Sequence, residues 1–304
     1  MDGILNIYKE RGYTSHDVVA KLRGILKQKK IGHTGTLDPE AEGVLPVCLG
    51  KATRLCDMLT DKRKTYETVL LLGMVTDTQD IYGTVLEENG QKASVLTEKE
   101  IRIAAASFLG DQMQIPPMYS ALKVNGRKLY ELAREGKEIE RAARPVCFYE
   151  IEITEISLPR VFMRVTCSKG TYIRTLCHDI GHKLGCGGCM ERLMRTQVDR
   201  FSICEAYRLS EIEELVKEGR IGNILTGIEE MFSELPEVSC EISDDRILYN
   251  GNPLTLDRAV YGERVPVSDG QQVRMYDSRH VFIGIFKFEL DRNRLKPVKM
   301  FYQA

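Results

Sequence analysis

The 304-residue sequence lacks the features that mark membrane proteins, secreted proteins and zinc ribbons. It has no apolar run near the roughly 18 residues that a membrane-spanning helix requires. The first nine residues contain no basic region followed by an apolar stretch, so we expect no signal peptide and a cytoplasmic location. The nine cysteines are an odd number scattered along the chain, which favours reduced thiols over a disulfide framework.

A metal site has little support in the sequence. Cys186 and Cys189 form one C-x-x-C pair, but the second pair that a zinc ribbon needs is missing. His178 and His182 lie nearby at a spacing of one helical turn, so a mixed Cys/His site is the alternative. Histidines four apart on a helix are more often surface or cap residues, and we therefore expect no bound metal.

Charge is balanced overall but unevenly distributed. The net charge of −1 argues against nonspecific coating of nucleic acid. Residues 205–245 hold twelve acidic and three basic residues, a net −9 that leaves +8 for the rest of the chain. The basic residues cluster at 27–30, 62–64, 141–144 and 192–195. Such clusters are usually solvated faces, but two of them flank glycine-containing loops, which favours contact with phosphates.

Strand and helix patterns interleave without a βαβ rhythm, which predicts an α+β main domain with a mostly antiparallel mixed sheet. We expect this domain to cover residues 1–235 and a small β-rich module to cover 236–304. The predicted helices are Thr14–Gln28 with Ser15 as its cap, Lys51–Leu59, Thr97–Leu109 with a capping box from Thr97 to Glu100, Arg127–Arg134, Thr171–Leu184 and Ser210–Lys217. The predicted strands are Gly3–Tyr8, Val44–Leu49, Thr65–Gly73, Pro145–Leu158, Val161–Ser168, Arg192–Phe201, Ile247–Tyr249, Val273–Tyr276 and Val281–Glu289.

The segment from Lys29 to Pro46 places one carboxylate, Asp38, on a loop with several glycines, after two lysines and a histidine. Glycine allows backbone to approach a ligand closely, and the cations suit a polyanion. Asp38-Pro39 is also typical of a helix start, with Asp as the N-cap and Pro at the first helical position. Local sequence leaves both interpretations open.

Three further segments carry candidate chemistry. Lys64-Thr65-Tyr66 places an aromatic residue at a strand start behind a basic cluster. In residues 168–174, a glycine turn opens a helix with Tyr172 and Arg174 in its first turn. The third segment is 192–196, where Leu193 is an ordinary core residue on its own. Taken singly, each segment also has a purely structural interpretation.

Taken together, these segments resemble the TruB family of tRNA pseudouridine synthases. The matching motifs occur in the family's order and cover about residues 3–201: Ile31–Pro39, Gly50–Arg54, Pro116–Lys123 and Cys167–Arg174. The resemblance implies a pseudouridine-synthase catalytic domain, with residues 114–144 as a mobile insertion that closes over RNA. It also implies a PUA-like RNA-binding module at 236–304, although that part lacks a sharp motif.

The resemblance implies that uridine at position 55 in the tRNA T loop is isomerised to pseudouridine without a cofactor. The stacked target base must first be flipped out. Asp38 matches the family's essential aspartate, and Arg174 matches an arginine that pairs with it and keeps it ionised. The other matches are Tyr66 as the stacking residue, Leu193 as an apolar wall, His33 as a filler of the space around the flipped nucleotide, Tyr172 as a base contact or orienting residue, and Lys64 as a phosphate contact.

Three other functions remain as alternatives. A glycosidase-like hydrolase would need Asp38 and Glu40 as its carboxylate pair, but residues i and i+2 seldom converge on one bond. A non-catalytic RNA-binding or tRNA-folding protein would leave Asp38 with no role beyond capping. A guide-dependent relative would need protein partners and a longer tail. We therefore expect a stand-alone tRNA enzyme, a monomer without an obligate protein partner.

Overall fold

The computed structural model describes residues 1–124, 126–262 and 267–302. Its α-helices are α1 (Ser15–Leu26), α2 (Cys56–Thr60), α3 (Gly90–Ser94), α4 (Glu98–Ala106), α5 (Leu129–Arg134), α6 (Ile173–Lys183), α7 (Leu209–Lys217) and α8 (Asp245–Tyr249). Short 3-10 helices lie at Gly50–Leu55, Ile203–Glu205, Ile221–Ile224, Glu229–Phe232, Ile242–Asp244, Leu256–Arg258 and Leu290–Arg292. Within the described ranges, every helix is too short or too polar to span a membrane.

The strands of the main sheet are β1 (Gly3–Lys9), β2 (Ile31–His33), β3 (Glu42–Leu49), β4 (Lys64–Leu72), β7 (Gly110–Gln114), β10 (Arg144–Ser157), β11 (Arg160–Cys167), β12 (Gly188–Val198) and β13 (Phe201–Ser202). Two small hairpins are β5 (Met74–Thr76) with β6 (Val85–Glu88) and β8 (Lys123–Val124) with β9 (Arg127–Lys128). The C-terminal sheet consists of β14 (Glu237–Cys240), β15 (Leu254–Thr255), β16 (Ala259–Tyr261), β17 (Gln272–Tyr276), β18 (Phe282–Glu289) and β19 (Arg294–Met300).

The main sheet runs in the order β1-β3-β12-β4-β11-β10-β7, with β2 beside β3 and β13 beside β12. Its neighbours are antiparallel except for β3 and β12, which pair in parallel through residues 42–43 and 194–195. The prediction of an α+β domain on a mostly antiparallel mixed sheet is confirmed. The parallel pair brings the start of β3 beside the middle of β12, and the loop before β3 carries Asp38.

Two sequence predictions of local structure are wrong in detail. Helix α1 is capped by Thr14, whose hydroxyl accepts from the Asp17 amide while the Asp17 carboxylate accepts from Thr14. Ser15 is instead buried in the helix and bonds the Asp38 loop. Residues 247–249 were predicted as a strand but form the last turn of α8, because a three-residue apolar run fits one buried face of a short helix equally well.

The two sheets share an apolar core. Phe282 and Ile285 on β18, with Phe301 after β19, pack against Phe232 and the β1–β3 side of the main sheet. The ring centroids of Phe232 and Phe301 are 5.8 Å apart, and the Arg54 guanidinium donates to the Met300 carbonyl over 2.6 Å. The C-terminal sheet therefore has its own interior but is also attached to the main domain by buried apolar contacts.

Candidate active site

Asp38 lies on the loop between β2 and β3, and no helix begins there. The Asp38 carbonyl accepts from the Ala41 amide over 3.1 Å, which closes a turn through Pro39 and Glu40. The chain then enters β3 at Glu42. The helix-cap interpretation of Asp38-Pro39 is therefore wrong, and the carboxylate is not used by a backbone cap.

The Asp38 loop is fixed to the body of the domain on both sides of the aspartate. Before it, the Leu37 amide donates to the buried Ser15 hydroxyl over 2.9 Å, and the Leu37 side chain lies in the main core. After it, the fully buried Lys9 ammonium donates to the carbonyls of Pro39, at 3.1 Å, and Ala41. The loop is therefore a rigid support for one carboxylate rather than a passive connector.

Arg174, on the first turn of α6, pairs with this carboxylate. Its Nε lies 3.0 Å from Oδ2 of Asp38, and its side chain is 4% exposed against 41% for the aspartate. The rest of the guanidinium donates to the carbonyls of Thr78, at 3.0 Å, and Tyr119, at 2.9 Å. A second carboxylate, that of Asp80, lies 3.8 Å from Nη1. The arginine is therefore immobile, whereas the aspartate keeps one face open.

Asp80 lies partly buried beside this pair. Burial raises the pKa of the Asp80 carboxyl, and the Thr78 hydroxyl and Arg174 oppose that rise. The Thr78 hydroxyl donates to Oδ1 of Asp80 over 2.7 Å, and the Tyr82 amide donates to the same oxygen over 3.1 Å. One guanidinium therefore faces two carboxylates that both line the cavity, and Asp38 is the more exposed of the two, at 41% against 16%.

Tyr172 is the residue before α6, and no side chain caps that helix through it. Its backbone is instead held by the buried Gln114 at the end of β7. The Gln114 carboxamide accepts from the Tyr172 amide over 2.8 Å and donates to the Tyr172 carbonyl over 3.0 Å. Burial raises the pKa of the half-buried Tyr172 phenol, with Ser120 and Arg174 opposing.

Tyr66 and Arg195 face each other across the β4–β12 pair. Tyr66 is 7% exposed, and burial raises the pKa of its phenol to about 12, with the Arg195 guanidinium as the main opposing group. Arg195 donates to the carbonyls of Val44, at 2.7 Å, and Gly35, at 3.3 Å. The arginine therefore connects the aromatic residue to the Asp38 loop.

Lys64 does not lie at the surface, where its expected phosphate role would place it. It is 7% exposed, and its ammonium donates to the carbonyls of Thr60 and Lys62, both at 2.7 Å. Because it lies two residues before Tyr66 on β4, it shares the buried face of that strand. Burial lowers the pKa of Lys64 to about 8, with Arg195 as the next cause.

His33 ends β2, half-buried at the start of the Asp38 loop, and its Nδ1 accepts from the Gly35 amide over 3.4 Å. Burial lowers the pKa of His33, and the Arg195 cation acts in the same direction. The histidine is therefore held in its neutral form near pH 7, which suits a space-filling role better than a cationic one.

Three of the buried cations around the loop have no carboxylate within ion-pair distance among the described residues. Lys9, Lys64 and Arg195 are 0%, 7% and 1% exposed, and each donates to backbone carbonyls. Carbonyls supply partial charge only, so the cations leave a net positive field beneath the loop. This field favours an anion at Asp38 and at any phosphate that approaches it.

A cavity of about 780 Å³ opens beside Asp38. Its apolar lining consists of Ala41, Val69, Ile81, Phe162, Met190 and Leu193. Leu193 thus lies where an apolar wall for a base was expected. At the rim, Glu40 pairs with Arg11 over 2.8 Å rather than with Asp38. The described residues contain no group of three or more His, Cys, Asp or Glu side chains suited to a metal ion.

Of the predicted site residues, Asp38 and Leu193 line the cavity, Arg174 pairs with Asp38, and Tyr66 lies in the core cluster that also contains Leu193. Tyr172 lies two residues before Arg174, at the start of α6. Four participating residues were missed from the sequence: Lys9, Asp80, Gln114 and Arg195. Lys9 had a signal, because it ends an otherwise apolar strand. The roles of Asp80 and Gln114 depend on contacts with Arg174 and Tyr172 that are 94 and 58 positions away in the chain, and no local pattern marks them.

Comparison with known proteins agrees with this geometry. Residues 23–173 match the model of the TruB family pseudouridylate synthase N-terminal domain, and residues 174–233 match the tRNA pseudouridylate synthase B C-terminal domain. The tRNA pseudouridine synthase B of Lachnoclostridium phytofermentans is 51% identical, covering 99% of this chain and all of the relative. That of Alkaliphilus oremlandii is 44% identical, covering 100% of this chain and 99% of the relative.

Solved structures agree as well. The chain resembles one in a Cbf5-Nop10-Gar1 complex with a TM-score of 0.72 and 27% identity, covering 99% of this chain and 85% of the other. It resembles one in an H/ACA RNP bound to a substrate RNA containing 2′-deoxyuridine with a TM-score of 0.71 and 25% identity, at the same coverage. By family model, identity and fold, the chain belongs to the TruB family of pseudouridylate synthases and is an isomerase.

Proposed function

We propose that this enzyme isomerises uridine 55 in the T loop of tRNA to pseudouridine, with Asp38 as the group that acts on the glycosidic bond. The observation that carries the proposal is the Asp38–Arg174 pair, a half-exposed carboxylate held by a buried guanidinium beside a cavity with both apolar and charged walls. The names of the closely related proteins supply tRNA as the substrate class.

The reaction breaks the bond from ribose C1′ to uracil N1 and forms a bond from C1′ to C5. The C5 hydrogen leaves as a proton and N1 gains one, so neither an oxidant nor a cofactor is needed. A carboxylate can assist by attack or by stabilising positive charge on the sugar, and Asp38 has one open face for either role. Arg174 holds that carboxylate in place through its Nε.

The flipped base would occupy the cavity. Leu193 and its apolar neighbours would supply a wall. Tyr66, which is 7% exposed and lies in the same core cluster as Leu193, would supply the aromatic ring for stacking. Tyr172 would contact the base edge from the start of α6, and neutral His33 would fill the space that the nucleotide leaves in the RNA.

Phosphate contacts would come from exposed cations beside the loop rather than from the Lys64 ammonium itself. Lys62 and Lys169 are 49% and 58% exposed at the side chain. The Arg63 guanidinium lies 3.9 Å from the ring centroid of the exposed Tyr149, a further surface for RNA. The buried Lys64 and Arg195 would contribute a positive electrostatic field from beneath the Asp38 loop.

We further propose that the enzyme acts alone in the cytoplasm as a monomer, with residues 114–144 closing over the RNA and the module 236–304 binding it elsewhere. The solved structures named above include complexes with partner proteins. Full-length coverage of the tRNA pseudouridine synthase B relatives favours the stand-alone form.

The test is tritium release from tRNA transcripts labelled at uracil C5, because isomerisation requires loss of that hydrogen. We expect up to one equivalent of tritium per tRNA and none from a transcript with cytidine at position 55. Release from the cytidine-55 transcript would overturn the assigned position. Free uracil among the products would instead indicate a hydrolase. Tight tRNA binding without tritium release would support a non-catalytic RNA-binding protein.

A further inference from the structure

Residues 114–144 contact the active-site arginine at the same point where they leave the sheet. Two of their first six residues bond the start of α6. Gln114 bonds both backbone groups of Tyr172, and the Tyr119 carbonyl accepts from Nη2 of Arg174 over 2.9 Å. The insertion and the ion pair of Asp38 therefore share a connection of only a few residues.

The two bonds from Gln114 fix the residue that precedes α6. Tyr172 precedes α6 without offering a side-chain oxygen to the first-turn amides. A side chain that both accepts from and donates to the backbone of one residue fixes the position of that residue and also its rotation about the helix axis. Arg174 is only two residues further, so a rotation at Tyr172 would displace the guanidinium from Asp38.

Gln114 is placed to transmit a movement of residues 114–144 to the backbone of Tyr172. It is 5% exposed, it is the last residue of β7, and the chain beyond it passes through Pro116-Pro117, where prolines limit the backbone. A shift of the insertion therefore moves Gln114 only together with the strand end, and any such movement reaches the Tyr172 backbone directly.

We propose that Gln114 is a positioning residue that sets the Asp38–Arg174 geometry through Tyr172, so that closure of residues 114–144 over RNA and alignment of the ion pair are one event. The inference rests on the proposed function, because it assumes that the Asp38–Arg174 pair performs the chemistry. It adds a residue that touches neither the substrate nor the reacting atoms.

The decisive variant is Gln114→Glu, which is nearly isosteric. As a carboxylate it accepts from the Tyr172 amide but repels the Tyr172 carbonyl, whereas the protonated acid restores both bonds. Burial raises the pKa of a carboxyl at this position. We expect a single-turnover rate at pH 8 lower by about a hundredfold, because a displacement near 1 Å costs that much, with tRNA affinity unchanged within about threefold. The ratio of variant to wild-type rates should rise as pH falls from 8 to 6.

The matched control is Gln112→Glu on the same strand, whose carboxamide contacts only the carbonyls of Ser107 and Leu109 near the end of α4. Its rate should follow the wild type at every pH. A Gln114→Met variant, checked by thermal unfolding, should be slow at all pH values because it can form neither bond.

The inference would be overturned if the ratio of the Gln114→Glu rate to the wild-type rate did not change with pH. It would also be overturned if that ratio equalled the ratio for the Gln112→Glu control. Either result would leave the proposed function intact. Loss of rate in Gln114→Met that tracks its loss of folded protein would also count against a positioning role. Failure of the proposed function would appear differently, as absence of tritium release from the wild-type enzyme.

Discussion

Nε of Arg174 lies 3.0 Å from Oδ2 of Asp38, with the arginine 4% exposed and the aspartate 41% exposed. The asymmetry has a mechanistic meaning. The cation is fixed by backbone carbonyls and cannot follow a substrate, so the open carboxylate is the member of the pair that meets the RNA. A buried, preorganised cation also costs no reorganisation when charge moves on the carboxylate.

Replacing Asp38 with Asn should abolish isomerisation while tRNA affinity stays within about tenfold, because phosphate contacts dominate RNA binding. Tritium release and filter binding measure the two effects. The control is Glu40→Gln, since Glu40 is a neighbouring carboxylate that pairs with Arg11. The Glu40→Gln rate should stay within about threefold of the wild-type rate. A dead Glu40→Gln enzyme would revive the paired-carboxylate hydrolase.

Arg174→Lys should lower the single-turnover rate by more than about a hundredfold, although the charge is kept. The planar guanidinium contacts Asp38, Thr78 and Tyr119 at the same time, and a lysine ammonium cannot reproduce these three contacts. Asp80→Asn removes the second carboxylate and leaves the guanidinium in place, so its loss of rate should be smaller. A Lys variant near the wild-type rate would show that charge alone suffices.

Lys9→Met should slow the reaction by about tenfold and lower the free energy of unfolding by about 1–2 kcal/mol, because the carbonyls of Pro39 and Ala41 lose a buried donor. Urea unfolding and single-turnover kinetics measure both. The exposed Lys99 on α4 provides the control variant Lys99→Met, which should change neither. Unchanged kinetics in Lys9→Met would show that the loop holds Asp38 without the lysine.

Asp179 on α6 gives a pH-dependent effect on stability. Burial raises the pKa of its carboxyl to about 6, with His182 opposing, against about 3.9 in an unfolded chain. The folded state therefore binds the proton more tightly, and its stability falls as pH rises from about 4 through 6. Asp179→Asn should gain at most about 3 kcal/mol over the wild type at pH 7.5 and much less at pH 4.5.

Urea unfolding of the wild type and Asp179→Asn at the two pH values measures this difference. Asp291→Asn is the control, because its side chain is 76% exposed and its stability should track the wild type. Equal curves for wild type and Asp179→Asn at both pH values would contradict the assignment of a buried carboxyl.

The sequence predicted the site better than it predicted the supports of the site. Motif order and the family resemblance selected Asp38, Tyr66, Tyr172 and Arg174 as candidates, and the structure pairs Arg174 with Asp38. The capping box from Thr97 to Glu100 was also local, and it is confirmed.

Tertiary contacts decided the remainder. Lys64 was expected at phosphates, although the period of two along β4 puts it on the same buried face as Tyr66. A basic cluster in a sequence predicts a surface feature. Only the fold shows that one member, Lys64, is buried and donates to a carbonyl at the end of α2. The position of Lys9 at the end of β1 is a local signal, but its role is not, since its partners lie 30 and 32 positions away.

We expect the buried lysines beneath the Asp38 loop to couple RNA binding to the uptake of protons. Burial holds the pKa of both Lys9 and Lys64 at about 8, so at that pH each ammonium is about half neutralised in the free enzyme. An incoming phosphate favours the charged form and raises both pKa values. Binding near pH 8 should therefore take up protons, which calorimetry in buffers of different ionisation enthalpy can count, and affinity should weaken as pH rises above 8.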